Sequence, residues 1–222
     1  MLSGCQDRRR IWRIAAVVAA TGALTLSGCT SSNVDTSEPT SQTTAATAQE
    51  DFVVTPAAEK TVTELPAGPL YWHVENFPAL AEAEAAAGPL SLATDVEGKV
   101  WLFTLGPKGA PMHSGSMVTE IGPLVDVSAP EYLLRISHGV AAPGAKSEVH
   151  THPGTEAFLV LKGQLSQRTP HGVNVVEAGE TLAGGAPEHP MEVTSSGGEE
   201  LHELIMFVVD ANKEFLSPAT FE

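Results

Sequence analysis

Two histidines and a glutamate lie close together in the segment from Gly144 to Gly163, GAKSEVHTHPGTEAFLVLKG. Successive side chains of a strand alternate faces, so His150 and His152 project to one side, about 7 Å apart along the backbone. Two imidazoles so placed can converge on one metal ion. Pro153, Gly154 and Thr155 then turn the chain, and Glu156 opens a second strand on a face it shares with Phe158 and Val160. A carboxylate pointing into an apolar interior is costly to bury unless a cation offsets its charge. The competing reading is a hairpin with two surface histidines and a solvated glutamate.

The elements that must position these residues are mostly strands. Pro78 to Ala87 (PALAEAEAAA) consists of strong helix formers and stops at Gly88-Pro89, which predicts one short helix. After it, short apolar or alternating runs recur: Lys99 to Leu105, Tyr132 to Val140, Glu148 to His152, Glu156 to Leu161, Val173 to Glu177, Met191 to Thr194 and Leu201 to Val209. Gly, Pro and Asn separate them at the spacing of an all-β sandwich or barrel. No internal repeat is visible. Residues 67–130 carry no readable motif; extra strands at sheet edges or a homodimer contact is expected of them, with Trp72 and Trp101 as core.

The Gly144–Gly163 segment resembles the first motif of the cupin superfamily, G-x5-H-x-H-x3-E-x6-G, which it fits at Gly144, His150, His152, Glu156 and Gly163. Fifteen residues further on, Gly179 fits the opening of the second motif, G-x5-P-x-G-x2-H-x3-N. The remainder departs from that pattern: His189 comes one residue early, Gly184 and Ala186 stand for proline and glycine, and Val193 stands for asparagine. The resemblance covers roughly residues 130–209 and implies an all-β cupin double-stranded β-helix, a jelly-roll barrel of the single-domain, type-2-like kind. It also implies His189 as third histidine ligand. His202 and His138 are the reserves, each expected to line the barrel or to be satisfied by a hydrogen bond, whereas His73, His113 and His171 are expected at solvated positions.

Three imidazoles and a carboxylate suit one divalent first-row transition metal rather than Ca²⁺ or Mg²⁺, which prefer oxygen shells. Ligand type alone does not choose among Fe, Mn, Ni, Zn and Cu. Four protein ligands on an octahedral ion leave two positions for water, substrate or O₂. Phe158, Val160, Met191, Leu204 and Met206 are expected to line an apolar pocket beside it, and Glu156 to double as the base that takes a proton from a bound substrate.

The amino-terminal part reads differently. Arg8, Arg9, Arg10 and Arg13 precede an apolar run from Ile14 to Leu26, about 13 residues, too short for the roughly 20 a permanent membrane helix needs. Leu26-Ser27-Gly28-Cys29 resembles the lipobox of bacterial lipoproteins, which implies cleavage after residue 28 and a lipid on Cys29. Asp7 to Arg13 also looks like a twin-arginine export motif, with the general secretion route as the alternative. From Thr30 to Gln49 ten of twenty residues are Ser or Thr, a disordered tether that the reading extends through Pro66, leaving a domain at 67–222.

Formal charge is −15 for the whole chain; without residues 1–28 it carries 8 bases against 26 acids, or −18. That balance disfavours nucleic acid and anionic headgroups as partners, so the membrane enters only through the lipid anchor. Cys5 leaves with the signal and Cys29 takes the lipid, so any metal rests on histidine and carboxylate alone. The expected function is a metal-binding cupin, an oxidoreductase of the dioxygenase type acting on a small organic molecule at the outer face of the cell membrane. The alternatives are a non-catalytic lipoprotein that captures a small ligand or the metal itself, and a structural cupin whose metal only ties strands together.

Overall fold

A computed structural model describes residues 52–221. The export signal, Cys29 and the tether as far as residue 51 lie outside the described residues. In chain order the elements are β1 (Phe52–Val62), β2 (Leu70–Phe77), α1 (Leu80–Ala86), β3 (Ser91–Val96), β4 (Lys99–Pro107), β5 (Ser116–Ile121) and β6 (Tyr132–Ala141). There follow β7 (His150–Thr151), β8 (Gly154–Lys162), β9 (Gln164–Thr169), β10 (Gly172–Glu177), β11 (Thr181–Ala183), β12 (Glu192–Ser195), β13 (Leu201–Asp210) and β14 (Ser217–Pro218). None of the described residues forms a helix long and apolar enough to cross a membrane.

The fold is all-β, in three layers. The middle sheet has the order β1-β6-β13-β8-β11, antiparallel throughout. Facing it are β10-β9-β12 and the pair β14-β7, joined through the bridges Lys146↔Thr194 and His150↔Met191. From β6 to β13 the chain passes back and forth between these two sheets, which is the winding of a double-stranded β-helix. Gly163 makes the turn from β8 to β9 possible: its φ is +78°, and a Cβ there would lie 2.7 Å from the Glu200 carbonyl oxygen.

Residues 67–130 do not extend sheet edges. They form a third sheet, β3-β4-β2-β5, stacked on the back of the middle one. Trp72, Val74, Trp101 and Phe103 pack there against Leu134, Ile136, Leu159, Leu204 and Met206. On the other face of the middle sheet, Phe158, Val160, Ile205 and Phe207 meet Leu165, Val176 and Val193. Burial on both faces explains why β13 reads as an almost unbroken apolar run.

The tether was expected through Pro66, yet residues 52–62 are strand β1, paired with β6 over its whole length. Its sequence resembles a linker because it is an edge strand with many half-exposed residues and a bulge between Pro56 and Ala58, where proline costs no ladder bond. The expected strand Glu148 to His152 shortens to His150–Thr151.

Candidate metal centre

Strand β7 is short but held on both edges. His150 and Met191 exchange backbone hydrogen bonds of 3.0 and 2.9 Å on one side. Ser217 and Pro218 pair with Thr151 and His150 on the other. The two histidine rings are then oriented by backbone carbonyls: His150 Nδ1 donates to Glu148 O at 2.7 Å, and His152 Nδ1 to Phe215 O at 2.6 Å. A carbonyl can only accept, so each neutral ring carries its proton on Nδ1 and keeps a bare lone pair on Nε2. Burial favours that neutral state. It lowers the pKa of His150, and that of His152 to about 4, against the opposing effect of the carbonyls.

The rings stand edge to face, 5.0 Å between centroids, and His152 Nε2 lies 3.8 Å from Glu156 Oε2. Glu156 projects from β8 and is 3% exposed. Its other oxygen, Oε1, accepts a hydrogen bond from the buried Gln167 Nε2 at 3.0 Å. Burial pushes its carboxyl up to about 8 despite that bond. Two neutral imidazoles with free Nε2 atoms, beside a carboxylate that burial leaves short of a counter-charge, fit a divalent first-row ion.

These three residues line a cavity of about 570 Å³ between the two sheets of the barrel, within the range of small-molecule sites. Phe158, Ile205, Phe207 and Phe215 make its wall mainly apolar. Arg135 lies at the edge, stacked 3.9 Å over the Phe215 ring and paired with Glu59 at 2.8 Å. A second acid, Glu203, faces the same cavity, fully buried, and neither of its oxygens finds a partner among the described residues. Burial pushes it too up to about 8, with the Glu156 charge adding to the shift. Its space is provided across the ladder by Gly139, where a Cβ would lie 2.7 Å from Glu203 Oε1.

The structure thus brings His150, His152, Glu156 and Phe158 together and leaves other expected residues elsewhere. His189 does not line the cavity: its Nε2 lies 3.4 Å from Nε2 of His171 on a loop. The substituted turn is the physical reason, since Glu188 takes a left-handed φ of +61° and Pro190 follows. Leu204 and Met206 point to the third sheet, because Glu203, Ile205 and Phe207 occupy the cavity face of β13. Val160 and Met191 are buried but do not line the cavity. His73 is buried rather than solvated, donating from Nε2 to Pro107 O at 3.0 Å. His113 is half-buried, its Nδ1 2.9 Å from Glu75 Oε2. His138 and His202 lie on the back face of the middle sheet, near Glu97.

Gln167, Glu203 and Phe215 are site residues that no motif announced. A signal existed for Glu203, the single acid inside an otherwise apolar run. Phe215 acts through its carbonyl, which leaves no mark on residue type.

No family model matches the chain, and no curated protein does. Solved structures do. A cupin-like protein from Thermotoga maritima is 17% identical, over 40% of this chain and 65% of that one, with a TM-score of 0.36. A protein with a double-stranded β-helix domain from Klebsiella pneumoniae is 22% identical over 39% and 75%, TM-score 0.34. A sugar phosphate isomerase from a cupin superfamily, from Silicibacter pomeroyi, is 19% identical over 40% and 57%, TM-score 0.34. The likeness therefore spans less than two thirds of the first and third of these proteins. Of these three solved structures, two are described as cupins and one by its double-stranded β-helix domain, the winding seen here from β6 to β13.

Proposed function

We propose that the chain is a metal-dependent cupin oxidoreductase of the dioxygenase type. It acts on a small, largely apolar organic molecule and is held at the outer face of the cell membrane by a lipid on Cys29. One observation carries the reading: the two Nδ1-to-carbonyl hydrogen bonds that turn the free Nε2 atoms of His150 and His152 into a cavity they share with Glu156. With His189 turned elsewhere, two histidines and one carboxylate remain, the set that suits non-haem iron oxygenases and leaves coordination positions open. A bound divalent ion would supply Lewis acidity and, if redox-active, one-electron chemistry with O₂. Phe158, Ile205 and Phe207 exclude water and hold the apolar part of the substrate. Glu156 accepts the substrate's hydroxyl proton at Oε2 while Gln167 holds Oε1 in place.

Metal analysis of the exported protein, with O₂ uptake measured over phenolic and thiol substrates, tests this. Bound iron, copper or manganese with substrate-dependent O₂ consumption is expected. Bound metal with no O₂ consumption on any substrate overturns the oxidoreductase reading in favour of non-catalytic capture of a small cationic ligand, which the unpartnered Glu203 carboxyl favours.

A further inference from the structure

On the far side of the middle sheet from the cavity, three metal-ligating side chains from three elements meet. Glu97 comes from the β3–β4 turn of the third sheet, His138 from β6 and His202 from β13. One ligand atom from each lies within 4.8 Å of the others. We propose that Glu97, His138 and His202 form a second metal site, for Zn²⁺, that clips the third sheet to the barrel independently of the cavity.

Four observations point to an ion at this place. Glu97 Oε1 is in contact with His202 Nδ1 and lies 3.2 Å from His138 Nε2, so a single oxygen faces two ring nitrogens. His138 Nε2 is buried, yet despite that distance it makes no hydrogen bond among the described residues. Glu200 Oε1 sits 2.7 Å from His202 Nε2. A carboxylate there accepts a hydrogen bond from Nε2–H and leaves Nδ1 as the ligand nitrogen on the Glu97 side, the outer-shell arrangement of metal-bound histidine. Lastly, Glu97 has a φ of +55° ahead of Gly98 at +71°, a turn that favours Asn, Asp or Gly. A glutamate kept in that conformation contributes through its side chain.

Two histidines and a glutamate are an established zinc donor set, and half-exposed side chains leave solvent access to a fourth position. The competing occupant is a proton. An imidazolium at His202 between Glu97 and Glu200 satisfies the same contacts without metal.

The test uses the chelator-stripped protein titrated with Zn²⁺, read by stoichiometry and melting temperature. Glu97→Gly is the principal variant, since glycine suits the turn and the fold should be kept or strengthened. Wild-type protein should bind two equivalents and Glu97→Gly one, and the double variant His150→Ala/His152→Ala should retain one equivalent that His138→Ala removes. Glu200→Gln should weaken that equivalent by about 10- to 100-fold. Equal stoichiometry and affinity in wild type and Glu97→Gly would assign the cluster to a proton and overturn the proposal. Should only the cavity fail to bind, wild type would hold one equivalent and Glu97→Gly none, so failure of the two sites is distinguishable.

Discussion

His150 and His152 lie on one side of the middle sheet, His138 and His202 on the other, and the two pairs differ in the groups beside their ring nitrogens. In the cavity the holders are backbone carbonyls, Glu148 O and Phe215 O, which fix a tautomer without favouring a charge. On the back face the neighbours are the carboxylates of Glu97, beside both histidines, and of Glu200, beside His202 alone. A carbonyl-held pair in low dielectric stays neutral and ready for metal at physiological pH, whereas the back-face pair meets carboxylates close to solvent. The same residue types thus give two kinds of site, and the difference lies in their hydrogen-bond partners.

That contrast can be broken most strongly by removing both cavity histidines. His150→Ala/His152→Ala should abolish cavity metal and leave the back-face equivalent, as counted by elemental analysis; loss of both would show that the sites are not separate. Leu204→Ala, on the back face, should lower unfolding free energy by about 2–5 kcal/mol in denaturant titration while cavity metal affinity stays unchanged. A smaller effect is expected from deleting residues 214–221, which takes away the carbonyl that orients His152. Cavity metal should weaken by about 10- to 100-fold in calorimetry, with back-face affinity unaffected.

The smallest effect concerns pH. Glu156 and Glu203 hold their protons up to about 8 when folded and release them near 4.5 when unfolded. Between those values the folded state binds more protons, so the stability of metal-free protein falls as pH rises from about 4.5 to 8. Glu203→Gln should flatten that slope in melting curves taken at pH 5 and pH 8, whereas a neutral substitution on the back face should not.

The sequence was most informative where a residue's role depends on its own type and spacing. The period of two placed His150 and His152 together, and the alternation of β8 correctly aimed Glu156 and Phe158 at one face. It failed where burial on both faces erased alternation: in β13 every position from Leu204 to Val209 is apolar, so Leu204 and Met206 could not be told from Ile205 and Phe207. Only Glu203 marked the parity. The edge strand β1 was lost among Thr, Pro and Ala because half-exposed positions carry no apolar signal. His189 was misplaced because a motif read without its turn residues carries no information about the backbone that aims the side chain. The third sheet escaped because it meets the barrel mainly through apolar packing, which any strand can offer.

The hydrogen bond from His152 to the Phe215 carbonyl closes a contact across 63 positions of sequence. Its ring orientation cannot be set until β8, β9, β12 and β13 have brought the carboxy-terminal segment back to β7. Closing so long a loop becomes favourable only once the intervening strands are paired. Metal capture by the proposed cavity site should therefore come in the last steps of folding, so the rate of metal binding during refolding should follow completion of the barrel.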